Sequence, residues 1–161
     1  MRSGMRTLAV ARILTGVIFL FLGVWKAFWP SFANSYMPHA ISQYVQHDAV
    51  PIYRWFLAHI VAPHPVFFGY AVGIGELLIG ISLIIGFLVR PAALFGMVHM
   101  LSLTLATWRA PAPAPPWRYL ANQLDHLPLL FLFAIFFAVR AGERWGLDAR
   151  SHAARHRAAA A

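Results

Sequence analysis

Four long apolar runs constrain this chain more than any other feature of its sequence. They cover residues of about 8–28, 66–89, 91–108 and 119–139, and charged residues or prolines mark their boundaries. Each run is long enough to cross a bilayer as a helix, which takes about 20 apolar residues. The runs are apolar on all sides, whereas barrel strands alternate apolar and polar residues. The sequence therefore predicts an all-α, polytopic membrane protein with a bundle of four transmembrane helices.

Composition supports a single membrane domain. Of 161 residues, 60% are hydrophobic and only 11% are charged, whereas about a quarter are charged in soluble proteins. The four-helix domain is predicted to occupy residues 1–148, which leaves no room for a second, soluble catalytic domain. Residues 149–161 are alanine, arginine and histidine and are predicted to form a disordered, basic cytoplasmic tail.

The sequence contains no cysteine. Disulfides, thiolate nucleophiles, cysteine-held clusters and covalently attached c-type haem are therefore excluded. A persulfide on the protein is excluded for the same reason. Any redox centre must diffuse to this chain or belong to a partner.

The net charge of +8 reflects membrane topology rather than nucleic-acid binding, because the basic residues cluster at the ends of the apolar runs. Lysine and arginine counts favour cytoplasmic N and C termini in a bacterial-type inner membrane. An alternative, a cleaved signal peptide over the first run, is less favoured because the run is long and lacks a clean cleavage site. The predicted inner residues are Arg2, Arg6, Arg90, Arg140, Arg144, Arg150, Arg155 and Arg157, and the outer ones are Lys26, Arg54, Arg109 and Arg118.

The first outer loop is predicted to carry an interfacial helix. Asp48 is placed to cap a short helix that begins at Pro51 and extends to Val61. Tryptophans also crowd the outer interface, where they form either an aromatic belt or a lid over a lateral opening. These tryptophans are Trp25, Trp29, Trp55, Trp108 and Trp117.

Glu76 is the strongest single feature, because it lies near the middle of the second run. A carboxylate at that depth must be protonated or paired with a cation within a few ångströms. His99 lies near the middle of the third run, and a short turn joins the two runs. Antiparallel packing of sequential helices then predicts that Glu76 and His99 are neighbours.

Arg12 and Lys26 share one face of the first run with Gly16 and Gly23. That face is predicted to turn inward, where the two cations would balance buried negative charge. The alternative for both is that they snorkel to the headgroups at the two membrane surfaces.

Asn122 of the fourth run shares a helix face with Asp125 and His126, at spacings of three and four residues. They are predicted to meet a quinone head group entering from the lipid and to exchange protons with it. Helix capping is the alternative explanation. Haem between His99 and His126 is disfavoured because their depths differ by about one helical turn. No metal site is predicted, since no set of histidines has a ligand-like spacing.

Three segments resemble DoxX/DoxD-like membrane proteins. They are the arginine, paired glycines and terminal lysine from Arg12 to Lys26, the glutamate and glycine helix from Gly75 to Arg90, and the closing segment from Gly142 to Asp148. The resemblance implies a four-helix protein grouped with the subunits of thiosulfate:quinone oxidoreductase and with small membrane partners of redox enzymes. It matches Arg12, Lys26 and Glu76 to residues of the family pattern.

The predicted function is thus a membrane subunit of a quinone-linked oxidoreductase, acting with a partner redox protein or as a homo-oligomer. Two alternatives stay open: a non-catalytic scaffold that recruits soluble redox enzymes, and a small transporter or proton pathway. The predicted catalytic residues are Glu76, His99, Asp125 and His126, and the predicted cofactor-binding residues are Arg12, Lys26 and Asn122.

Overall fold

The computed structural model describes residues 2–109, 115–139, 141–143 and 146–148, and these residues are helices, turns and loops without a strand. The all-α prediction is confirmed. Three helices, α1 from Arg6 onward, α4 and α5, are long and apolar enough to cross a membrane. The helices are α1 (Arg2–Phe28), α2 (Met37–Gln43), α3 (Pro51–Phe56), α4 (Pro65–Ile85), α5 (Val89–Ala106), α6 (Pro116–Ala121) and α7 (Leu127–Ala138).

Helices α1 and α4 form the most extensive helix pair, and they run antiparallel. Glycines on both helices bring the two backbones close together. A Cβ atom on Gly23 would collide with the backbone of Leu77, and one on Gly80 would collide with the backbone of Leu20. Small residues permit such close approach, which is how membrane helices gain van der Waals contact without a hydrophobic driving force.

Helices α5 and α7 form a second pair, and aromatic side chains join it to the first pair. Phe19 of α1 meets Phe133 of α7 edge to face, with ring centroids 5.1 Å apart. Both rings are fully buried together with Phe136. Helices α4 and α5 contact each other less extensively, and a cavity lies between them.

The turn between α4 and α5 is closed by a segment from the far end of the chain. Gly86 ends α4 in a left-handed conformation, φ 70°, which glycine adopts without strain. Asp148 folds back onto this turn and accepts hydrogen bonds from the backbone N–H groups of Leu88 at 3.0 Å and Val89 at 3.1 Å. The carboxylate thereby satisfies two donors at the N terminus of α5, which otherwise lack partners.

The fourth apolar run is not one helix. Residues 122–126 form hydrogen-bonded turns between α6 and α7, so the predicted helix over about 119–139 is wrong at these five residues. Pro128 in the first turn of α7 accounts for the break, because proline starts helices well but cannot donate within them. The 12 residues of α7 span about 18 Å, less than a hydrocarbon core of about 30 Å. A fourth complete span stays a prediction.

The first outer loop is more helical than predicted. Two five-residue π-helical segments, Phe32–Tyr36 and Tyr44–Asp48, flank α2, and a third, Leu57–Val61, continues α3. The predicted helix from Pro51 is present, but Asp48 does not cap it, because Val50 holds the cap position. Its interfacial location stays a prediction, as does the aromatic belt.

Several predictions fall outside the described residues. These are the disordered tail at 149–161 and the arginines at 140, 144, 150, 155 and 157 used for orientation. The domain boundary and the cytoplasmic placement of both termini therefore stay predictions.

The glycine contacts predict opposite effects for two alanine substitutions. We expect Gly23→Ala to lower the free energy of unfolding by about 1 to 3 kcal/mol, because its Cβ overlaps the backbone of α4. Gly75→Ala on α4 is the matched control, since its Cβ meets nothing within 4 Å, and alanine favours a helix by up to about 1 kcal/mol. Thermal unfolding in detergent measures both. Equal melting temperatures for the two variants would contradict the close packing of α1 on α4.

Candidate functional site

Glu76 is the centre of a polar cluster built from three helices. Its side chain lies in α4 and is 3% exposed. Lys26 of α1 donates from Nζ to Glu76 Oε1 at 2.6 Å, and His99 Nε2 of α5 lies 2.8 Å from the same oxygen. The predicted proximity of Glu76 and His99 is confirmed.

The register of α1 on α4 explains why Lys26 reaches the middle of the bundle. The backbone of Ala27 packs against Gly73 of α4, one turn from Glu76. Helical structure also continues beyond α1, since residues 30–48 are helical throughout. Of the two alternatives for Lys26, the structure shows charge balance inside the bundle, and the ammonium also lies 5.5 Å from the ring centroid of Phe32.

The charges in this cluster balance when His99 is neutral. Lys26 and Glu76 then form one compensated ion pair, and His99 adds a hydrogen bond from its Nε2–H. Glu76 Oε2 is different: it is buried and has no hydrogen-bond partner among the described residues. A buried polar atom without a partner is costly, so this oxygen marks a point where a ligand would gain affinity.

A groove of about 810 Å³ lies between α4 and α5, and Glu76 and His99 are part of its lining. Nearly all other lining residues are apolar; the polar exceptions are Ser82 and Ser102. Leu78 lines the groove and is 60% exposed on the outside of the bundle. Phe95 and Val98 also line it and are exposed, so the groove opens on the outside of the bundle.

Helix α3 lies next to the groove. A smaller cavity of about 410 Å³ is lined by Ile52, Tyr53, Trp55 and Phe56 of α3 together with Ser102 of α5. Ser102 lines both cavities, so α3 borders the groove close to His99. For Trp55, this arrangement supports the proposal that the outer tryptophans form a lid over a lateral opening.

Arg12 lies at another level of the bundle. Its guanidinium is fully buried, donates from Nη1 to the carbonyl of Ala141 at 3.0 Å, and interacts electrostatically with Asp148. It packs against Gly86, ten residues from Glu76 along α4, which is about 15 Å on a helix. Arg12 therefore holds the C-terminal segment against the α4–α5 turn and does not line the groove.

The predicted cluster in the fourth run is dispersed. Because residues 122–126 are turns, the helix face that was expected to join them does not form. Asn122 Nδ2 donates to the carbonyl of Arg109 at 3.2 Å, and Asp125 is exposed. His126 interacts electrostatically with Asp125, His99 and Lys26, and its Nδ1 lacks a hydrogen-bond partner among the described residues. None of the three lines the groove.

Two polar residues with clear structural roles were not predicted. Gln123 is fully buried and donates to the carbonyl of Thr107 at 2.8 Å, which ties the α6–α7 turn to the end of α5. Asp148 caps α5, and its only sequence signal was its place in the glycine-rich closing segment. Within the residues that the structure describes, no group of three or more potential metal ligands stands together.

A model of the DoxX family matches residues 7–108 of the chain. The matched region runs from α1 through α5 and so includes all three members of the polar cluster. No protein of curated function and no solved structure matches the chain.

The cluster predicts that Lys26 and Glu76 are energetically coupled. Lys26→Met leaves a buried carboxylate without its cation, so we expect a loss of about 3 to 5 kcal/mol in the free energy of unfolding. The double variant Lys26→Met/Glu76→Met removes both charges and is expected to recover most of that loss. Chemical unfolding of the variants in mixed micelles measures the coupling, and additive losses would disprove it.

Proposed function

Because the chain belongs to the DoxX family of membrane proteins, which are generally linked to membrane-associated oxidoreductase systems, we propose that it is the membrane subunit of a quinone-linked oxidoreductase. The proposed system is of the thiosulfate:quinone oxidoreductase kind and lies in the bacterial inner membrane. The groove between α4 and α5 is the proposed site for the quinone head group.

The observation that carries this proposal is a hydrogen-bonded carboxylate and imidazole in the lining of an apolar groove. Glu76 and His99 are 2.8 Å apart and belong to the two helices that form its walls. The volume of about 810 Å³ falls in the range of roughly 300 to 1,000 Å³ that is typical of small-molecule sites. Such sites are mostly apolar with a few polar groups that fix orientation, as here.

Access from the lipid supports a membrane-soluble ligand. Quinones with isoprenoid tails reside in the hydrocarbon, and the exposed side chains at the groove's edge, Leu78, Phe95 and Val98, face that region. The head group is proposed to enter sideways between α4 and α5, while the tail stays along the apolar lining or in the bilayer.

The proposed chemistry of the residues is proton exchange. Reduction of a quinone consumes two electrons and two protons, and Glu76 and His99 are groups that can each take up a proton and then pass it to the head group. Lys26 keeps the carboxylate of Glu76 paired during that exchange. His126, which interacts electrostatically with His99, is proposed to exchange protons with the cluster. Asp125 is exposed and does not line the groove, so it has no proposed role.

The electrons are proposed to come from a partner redox protein. The chain has no cysteine and so offers no thiolate to hold a redox cluster. A scaffold without a site of its own would also recruit such a partner, but it would not retain quinone. A proton pathway would conduct protons whether or not the groove were filled.

Filling the groove tests the proposal. Gly75 lines the groove, and a Cβ atom added there meets nothing within 4 Å. We therefore expect isoprenoid quinone to co-purify with the wild-type protein, and we expect Gly75→Phe to fold normally and to lose most of it, as measured by solvent extraction and mass spectrometry. Leu14→Phe is the matched control, since Leu14 is exposed on α1 and does not line the groove.

A photoreactive short-chain quinone gives a second measurement. Labelling is expected on peptides of α4 and α5 in the wild-type protein and in Leu14→Phe, and it should be lost in Gly75→Phe. Equal quinone retention and labelling in all three proteins would contradict the groove as the site.

A further inference from the structure

We propose that the groove binds the reduced, hydroxyl-bearing form of its ligand, a quinol, more tightly than the quinone, because two residues of its lining, Glu76 and His99, each keep an acceptor without a donor among the described residues. This inference rests on the proposed function and specifies which redox form the same site prefers. It follows from an account of the donors and acceptors around Glu76.

Glu76 offers an acceptor that no described residue satisfies. Both of its protein donors, Lys26 Nζ and His99 Nε2, lie at Oε1. Oε2 is buried and lacks a hydrogen-bond partner in the described part of the chain. An ionised carboxylate has no hydrogen to donate, so a ligand that completes this site must supply one.

His99 adds a second acceptor. Its Nε2–H is used by Glu76, and a neutral imidazole then has only the lone pair of Nδ1 left. A protonated ring would offer a donor there, but Lys26 already balances the charge of Glu76. An additional positive charge at membrane depth would be uncompensated and costly.

The two serines of the groove do not alter the excess of acceptors over donors that its lining offers to a ligand. The hydroxyl of Ser82 donates to the backbone carbonyl of Phe87, so its hydrogen is already used. The hydroxyl of Ser102 can both donate and accept and therefore does not discriminate between redox forms. The remaining lining residues are apolar.

The oxidised and reduced forms of a quinone differ in their ability to donate a hydrogen bond. A quinone carbonyl only accepts hydrogen bonds and would face the carboxylate oxygen with a like partial charge. A quinol hydroxyl donates, and hydrogen bonds to charged groups are among the stronger ones in proteins. We expect a preference for quinol of about tenfold or more.

Such a preference has an electrochemical consequence. Tighter binding of the reduced form raises the potential of the bound two-electron couple, by about 30 mV for each factor of ten in affinity. The groove would thus make the bound quinone a better electron acceptor for the partner protein.

Three ligands of equal size test the preference in the wild-type protein. A short-chain benzoquinol, its quinone and its bis-O-methyl ether are titrated under anaerobic conditions against the full chain in lipid nanodiscs, with bound ligand measured after separation from free nanodiscs. We expect the quinol to bind about tenfold more tightly than both other ligands. The ether cannot donate, so it separates the effect of the hydroxyl from that of the ring.

A carboxylate-to-amide change gives the matched variants. In Glu76→Gln the amide oxygen can keep both protein donors while the NH₂ group faces the ligand, so the preference is expected to reverse toward the quinone. Asp48→Asn is the control, because Asp48 lines neither cavity, and it should retain the wild-type order.

The wild-type order decides the inference even if Glu76→Gln fails to fold. Quinone or ether binding as tightly as quinol would overturn the preference and leave the quinone site in place. Absence of binding by quinol and quinone alike would overturn the proposed function itself. A wild-type preference that persists in folded Glu76→Gln would remove Glu76 as its cause.

Discussion

A carboxylate placed midway along an apolar helix governs the arrangement of this bundle. Water cannot stabilise Glu76 at that depth, so neighbouring helices must. Lys26 and His99 meet at the same oxygen, which fixes the levels of α1 and α5 relative to α4. The glycines between α1 and α4 allow the short distance that such an ion pair requires. Packing and charge compensation therefore impose the same register.

Helix α1 carries two cations with separate tasks, Arg12, which is buried, and Lys26, which is partly buried. Lys26 compensates Glu76 beside the groove, and Arg12 binds the C-terminal segment at the α4–α5 turn. They are 14 residues apart, about 21 Å along a helix. One face of α1 thus connects a candidate ligand site to the structural closure of the bundle. The sequence analysis gave both cations the same two alternatives, and only their partners in the structure show that their roles differ.

The sequence predicted what depends on hydropathy and on local connection. The apolar runs gave α1, α4 and α5, and the short turn between α4 and α5 was sufficient to pair Glu76 with His99. Prediction from sequence failed where the structure is decided by contacts between distant residues or by the conformation of a turn. The break before Pro128 did have a sequence signal, because four of the five residues at 122–126 are polar, but the predicted helix ran through them. Glu76 Oε2 lacks a hydrogen-bond partner among the described residues because of the way three helices meet. Residue spacing along the chain does not reveal that geometry.

The cap supplied by Asp148 has a consequence for biosynthesis. Leu88, one of the two donors it satisfies, is made 60 residues earlier. While the chain is being translated, the start of α5 leaves the ribosome long before its acceptor exists. Until the segment after α7 has been made, the two N–H groups at the start of α5 can bond only to water or to lipid headgroups. Final closure of this end of the protein is a late event that follows the synthesis of every helix in the bundle.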